Sequence, residues 1–232
     1  MSQHASTDLV ELISSMKNPL LCTASGDSPA GVYKNIVDNV NKKGLDISDW
    51  SFVGLDEWVG MNGGDEGSCR FYLNQQLFDP LKIPSDKISF FDGKTEDLNQ
   101  ECENVEDFIT KHQGIDAAIL GLGMNGHIGM NEPGTSASSR SHVIDLDPIT
   151  QKVGQKYFKQ HRELKQGITI GLATLMESRH IFLLVSGSHK AEIVKQMLES
   201  EISERMPCTL LRDHPQLRIY LDTAAAKLIN PA

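Results

Sequence analysis

His127 and Glu132 lie five positions apart in the stretch Gly121-Leu-Gly-Met-Asn-Gly-His-Ile-Gly-Met-Asn-Glu-Pro133. An imidazole with an ordinary pKa of about 6.5 gives and takes protons near neutrality, and a neighbouring carboxylate can hold one of its tautomers. On an average loop such a pair is a surface contact. Here glycines at 121, 123, 126 and 129 frame it, and glycine permits positive φ and close approach of backbone to a ligand. A second acidic pair, Asp56-Glu57, follows the apolar run Trp50-Ser-Phe-Val-Gly-Leu55. Ligands of open parallel sheets bind beyond the carboxyl ends of strands, so acids placed there are candidates for chemistry. The alternative is an acid pair that only satisfies a helix N-terminus. Two strand–glycine–helix turns complete the candidate chemistry. Ser25-Gly26-Asp27-Ser28-Pro29 presents uncapped N–H groups suited to an anion. Ser186-Gly187-Ser188-His189-Lys190 repeats the arrangement with a lysine, which opposes the helix dipole and calls for an anionic partner.

The elements that position these residues follow from hydrophobic patterning. Apolar runs at 20–24, 50–55, 117–120, 167–170, 181–185 and 217–221 predict strands, with a further short strand inside 83–91. Helical spacing predicts helices over 8–16, 29–42, 69–77, 99–111, 150–158, 190–198 and 223–228, the second of them capped by Ser28. This alternation predicts an α/β fold: a mostly parallel, doubly wound sheet in a three-layer α/β/α arrangement with right-handed crossovers. A chain of 232 residues, 39% of them hydrophobic, suits one domain over 1–232.

A formal charge of −9 argues against nucleic-acid and anionic-membrane partners, which recruit basic surfaces. The first residues lack a basic and an apolar signal region, and no apolar run approaches the ~18 residues of a membrane span; a cytoplasmic protein is expected. Cys22, Cys69, Cys102 and Cys208 are scattered and form no C-x-x-C pair, so reduced thiols are expected rather than disulfides or a zinc site.

The segment Gly126-His-Ile-Gly-Met-Asn-Glu-Pro-Gly-Thr135 resembles the signature loop of the glucosamine-6-phosphate deaminase (isomerase) family. Leu55-Asp-Glu-Trp-Val-Gly60, the 25–29 turn and Val185-Ser-Gly-Ser-His-Lys-Ala191 extend the resemblance, in the family's order, over most of the chain. It implies the same Rossmann-like three-layer fold. It also implies conversion of a 2-amino-2-deoxyhexose 6-phosphate to a 2-ketose phosphate plus ammonia, without a redox cofactor or metal. The activity is accordingly expected to count as both an isomerase and a hydrolase. By the resemblance Asp56 is the base that moves a proton from C2 to C1, and His127 with Glu132 opens the pyranose ring. Asn125 stands where the family often has an aspartate in relay with the histidine. Substrate binding falls to Ser25, Gly26, Asp27, Ser28, Glu57, Gly123, Lys156 and Lys190.

Three departures stand out. Asp27 replaces a glycine of the family's phosphate loop, and Lys156 replaces a usual arginine, which removes a bidentate fork. His142 and Ile144 stand where larger allosteric members carry basic residues, so that control is expected to be absent. The N-terminus is also shorter than the resemblance leads one to expect.

Glucosamine 6-phosphate is the expected substrate. Galactosamine 6-phosphate is the alternative, because Asp56-Glu57-Trp58 resembles the galactosamine branch. A 6-phosphogluconolactonase would continue Gly-His-Thr-Ala-Ser, where this chain reads Gly-His-Ile-Gly-Met. A sugar-phosphate sensor of the same fold is opposed by intact Asp56, His127 and Glu132 and by the lack of an added helix-turn-helix segment. A monomer or small homo-oligomer is expected.

Overall fold

The strands are β1 (Leu20–Thr23), β2 (Ser51–Gly54), β3 (Asp56–Trp58), β4 (Ile88–Ser89), β5 (Ala117–Gly121), β6 (His142–Asp145), β7 (Gln166–Thr169), β8 (His180–Val185) and β9 (Leu217–Leu221). The helices are α1 (Ser2–Ile13), α2 (Asp27–Lys43), α3 (Cys69–Leu73), α4 (Asp79–Leu81), α5 (Leu98–Lys111), α6 (Pro148–Gly154), α7 (Leu172–Met176) and α8 (Ala191–Glu199). This computed structural model describes residues 1–229; the last three positions of the domain expected over 1–232 lie outside the described residues.

Six strands form one sheet in the order β4-β2-β1-β5-β8-β9, and every neighbouring pair is parallel. The central strands are continuous apolar runs because both faces are covered. Leu20, Cys22, Ala118, Leu120, Ile181 and Leu183 point to one side, where Val105 and Ile109 of α5 and Ile193 and Met197 of α8 meet them. Leu21, Ala117, Ile119, Phe182 and Leu184 point to the other, against Leu9 of α1 and Val32, Tyr33 and Ile36 of α2. The chain first winds from β1 towards β4 and then returns to the other side of β1 at β5. That reversal opens a crevice between the carboxyl ends of β1 and β5, where parallel sheets take their ligands.

Several elements depart from expectation. The first helix starts at Ser2 and ends at Ile13, burying Ala5, Leu9 and Ile13 at four-residue spacing, rather than spanning 8–16. The second begins at Asp27, and its N-cap is Gly26 at φ +112°. Ser28 is therefore no cap, and its hydroxyl meets that of Ser186 at 3.1 Å. The helix expected over 69–77 is α3, a π-helical turn (Asn74–Phe78) and α4, where Pro80 has no N–H to continue the ladder. The 150–158 helix is α6 followed by a 3₁₀ turn, Gln155–Tyr157. Another 3₁₀ turn, Ser188–Lys190, precedes α8. Residues 223–228 form turns instead of a helix, where Asp222 holds the N–H of Ala225 at 2.7 Å.

The expected strand at 167–170 is β7, and it lies outside the parallel sheet. It joins β3 and the unforeseen β6 in a small antiparallel sheet, pairing Asp56 with Thr169 on one edge and His142 with Thr169 on the other. Partial exposure of all of β6 left no apolar run to mark it.

Candidate active site

A cleft opens over the crevice between β1 and β5. The β1–α2 turn, the 121–130 loop, α6 with its 3₁₀ extension, and the turn before α8 form its walls, and Asp56 lies at its base. Ser25, Gly26, Asp27, Ser28, Asp56, Gly123, His127, Lys156 and Lys190 all reach the cleft. Asn125 and Glu132 stand behind His127, and Glu57 is turned away.

Adjacent residues of a strand face opposite sides, so β3 separates the two acids at 56 and 57. Asp56 faces the cleft, 9% exposed. Burial pushes its carboxyl up to about 6, against the downward pull of a hydrogen bond from the Cys69 thiol and of a charged His127. Glu57 is fully buried on the other side. Its carboxylate accepts from Ser68 Oγ at 2.6 Å, from the N–H groups of Trp58 and Cys69 at 2.9 Å, and from the N–H of Arg70 at 3.1 Å. It satisfies the open N-terminus of α3, the helix-anchoring reading, and the structure does not place it for the substrate contact expected of it. Burial raises its carboxyl, although these donors pull the other way.

The His127 ring packs flat on backbone. A Cβ added to Gly123 would stand 2.4 Å from the ring, so only glycine leaves room for the imidazole. Gly126, at φ +85°, turns the loop back, a conformation that side-chain-bearing residues rarely adopt. The ring's Nδ1 lies 3.0 Å from Thr150 Oγ1 and 3.5 Å from Glu132 Oε2. Among the described residues Nε2 has no hydrogen-bond partner, which leaves it as the nitrogen for the cleft. Asn125 Nδ2 donates to Glu132 Oε2 at 2.8 Å, and Asn125 Oδ1 accepts the His127 N–H at 3.3 Å. Asn125 is thus a brace for loop and carboxylate, as an amide carrying no charge can be. Burial raises the Glu132 carboxyl, but His127, Thr150 and Asn125 outweigh it and hold the group below its ordinary range.

At the other end of the cleft the cations already have partners. Lys156 Nζ donates to Asp27 Oδ2 at 2.7 Å and sits 4.8 Å from the centre of the Tyr157 ring. Burial pulls its ammonium down, yet Asp27 and Tyr157 carry it above the usual lysine range. Asp27 is mostly exposed and reaches across the cleft from the first turn of α2. The carboxylate expected to crowd an anion is instead bound to the opposite wall. Lys190 Nζ donates to the Leu122 carbonyl. Burial is the largest cause, with Lys156 second, that pulls Lys190 down to about 8. All four cysteines are free and buried. Cys69 borders the cleft beside Asp56.

Thr150 and Cys69 were not among the residues singled out in the sequence. Thr150 meets His127 across 23 positions of chain. The Asp27–Lys156 pair spans 129. Neither contact has a local signal.

Comparison with known proteins adds a family and a set of names. Residues 1–219 match the family described as glucosamine-6-phosphate isomerases/6-phosphogluconolactonase. A glucosamine-6-phosphate deaminase from Geobacillus sp. (strain WCH70) is 36% identical over 230 residues, 99% of this chain and 92% of that one. One from Shouchella clausii (strain KSM-K16) is 38% identical over 229 residues, 98% of this chain and 93% of that one. A solved structure described as a monomeric glucosamine-6-phosphate deaminase superposes with a TM-score of 0.94 at 34% identity, covering 98% of this chain and 95% of that one. The 6-phosphogluconolactonase of Trypanosoma brucei superposes at 0.76 with 19% identity, covering 99% of this chain and 96% of that one, a likeness of fold. These names overturn the expectation of a hydrolase, since the relatives named here at 34–38% identity are deaminases.

Proposed function

The chain belongs to the glucosamine-6-phosphate isomerase/6-phosphogluconolactonase family, and on that premise we propose that it deaminates and isomerises a 2-amino-2-deoxyhexose 6-phosphate. The substrate is glucosamine 6-phosphate and the products are fructose 6-phosphate and ammonia. One observation carries this reading. A buried carboxylate near pKa 6, an imidazole with a free Nε2 and two lysines at a helix N-terminus share one cleft.

The phosphate binds at the start of α2, where the N–H groups of the 25–28 turn, Lys156 and Lys190 converge. Nε2 of His127 takes the O1 proton and returns a proton to O5 as the C1–O5 bond breaks, opening the ring. Asp56, ionised, then removes the C2 proton while the substrate's ammonium gives a proton to the C1 oxygen, leaving an enolamine, and Asp56 delivers its proton to C1. The iminium left at C2 adds water and releases ammonia. A carboxyl lifted to about 6 suits this shuttle, because it is ionised at neutral pH yet basic enough to hold the proton in transit. Glu132 carries no proton in this scheme; it balances the imidazolium.

The protein works as one domain in the cytoplasm, as a monomer, a reading supported by the monomeric description of its structural neighbour. No described helix is long and apolar enough to cross a membrane.

Ammonia release measured in parallel on glucosamine 6-phosphate, galactosamine 6-phosphate and 6-phosphogluconolactone tests the reading. Release is expected fastest from glucosamine 6-phosphate. Preference for the galactosamine sugar would move the assignment to the other branch, and tight binding of both without ammonia would indicate a sensor.

A further inference from the structure

The imidazole Nδ1 of His127 has two oxygen neighbours, and only one stands at ordinary hydrogen-bonding distance. Thr150 Oγ1 is 3.0 Å away; Glu132 Oε2 is 3.5 Å away, beyond the range of a normal N–H···O bond. Thr150 is 4% exposed, so neither water nor motion readily replaces its hydroxyl. It lies in the first turn of α6, whose N-terminus is already capped by Asp147 through the N–H of Ile149. The Thr150 side chain is therefore not needed by its own helix.

The proton count follows from the donors. Glu132 is ionised and accepts only; Asn125 Nδ2 occupies one side of Oε2. If Nδ1 carried a lone pair, that pair would face the same carboxylate oxygen at 3.5 Å, lone pair against anion. With a proton on Nδ1 the conflict disappears. The hydroxyl oxygen of Thr150 accepts that proton at 3.0 Å. Nε2 is then the unprotonated nitrogen, facing the cleft as a base.

We propose that Thr150 is the positioning residue of the site, accepting from His127 Nδ1–H, so that it selects the tautomer in which Nε2 is free. Because α6 runs on into the turn that carries Lys156, one short segment holds a partner for the imidazole at one end and a cation of the anion site at the other.

The part of this inference that concerns the rate rests on reading His127 as the acid/base; the tautomer does not. The test therefore has two arms, on wild type, Thr150→Val and Thr150→Ser. In the first, ¹⁵N NMR of the ligand-free protein above the imidazole pKa reads the His127 tautomer. Wild type and Thr150→Ser are expected in the Nδ1–H form, and Thr150→Val in a mixture with the Nε2–H form. An unchanged tautomer in folded Thr150→Val overturns the proposal, whatever the protein's substrate. In the second arm, Thr150→Val is expected to lower kcat about 10- to 100-fold, as a misplaced acid/base does. KM should move less than about threefold, and Thr150→Ser should recover most of the rate. Glu132→Gln combined with Thr150→Val should lose less than the product of the two single losses, because both residues neighbour the same imidazole nitrogen. Full additivity of the two losses would show that Glu132 reaches His127 independently. Loss in Thr150→Ser with wild-type turnover in Thr150→Val would show that the methyl group's packing matters and the hydroxyl does not. No turnover in wild type would defeat the functional reading alone and leave the first arm to decide.

Discussion

The two ends of the cleft are built on opposite principles. At the proton-transfer end, groups are buried and held by other protein groups: His127 by Thr150 and the Gly123 backbone, Glu132 by Asn125, and the α3 start beside Asp56 by Glu57. At the proposed anion end, Lys156 is bound to the exposed Asp27 and Lys190 to a carbonyl, partners that a phosphate bound there would have to replace. The difference teaches where the cost of ordering falls. On the proposed function, orientation of the acid/base groups is settled when the chain folds, as electrostatic preorganisation requires, whereas the anion site would be completed only by exchange of partners on binding.

The sharpest way to separate the ends is Asp56→Asn. It should cut turnover roughly 10²–10⁴-fold and abolish exchange of the C2 proton with solvent, while equilibrium binding of the sugar phosphate stays near wild type. A variant that retains C2 exchange would remove Asp56 from the role of base. The same group sets an acid limb: ionised above about 6 and protonated below, it should make kcat/KM fall as pH drops through that value.

Glu57→Ala attacks the scaffold of the same end without touching the cleft. It strips the acceptor from three N–H groups and the Ser68 hydroxyl. At about 1–3 kcal/mol for an unsatisfied buried group, with water reaching part of the helix start, a total loss of about 3 kcal/mol is expected. Chemical denaturation would read it as a lower midpoint at unchanged m-value. A wild-type midpoint would return Glu57 to the substrate-contact assignment.

Lys190→Ala breaks the anion end. An interaction with a non-reacting phosphate is uniform binding, so KM should rise on the order of tenfold or more while kcat changes little. With Lys190 near 8, its cation is present below that pH and lost above it, so KM should climb as pH rises through 8. That alkaline climb should vanish in the variant. If it persists, another group controls it.

The smallest effect belongs to Asp27→Asn. Removing an exposed carboxylate that competes for Lys156 should lower KM and strengthen inhibition by inorganic phosphate by up to about fivefold, since exposed ion pairs are worth about 0–1 kcal/mol. A higher KM would mean that Asp27 orients Lys156 for the phosphate instead of competing with it.

Much of this was legible before any coordinates. Runs such as 20–24 and 181–185 mark strands because a parallel sheet covered on both faces needs apolar side chains in both directions. The glycines around His127 mark a loop that approaches something closely, and the structure shows the imidazole itself as one of those things. The acid pair at 56–57 was visible as a pair, and the structure sends one member to the cleft and the other to a helix start.

What the sequence determined by itself is whatever depends on neighbours along the chain: strand and helix order, the doubly wound sheet, the glycine turns, and the residue types available for proton transfer and anion binding. Tertiary structure decided everything that depends on which surfaces meet. The pairing of β3 with β7 sent Asp56 into the cleft and Glu57 away from it, α6 brought Thr150 to an imidazole 23 positions earlier, and the closing of the cleft put Lys156 on a carboxylate 129 positions earlier. Hydrogen bonds act over about 3 Å of space and carry no memory of chain separation, so no local pattern could have announced them.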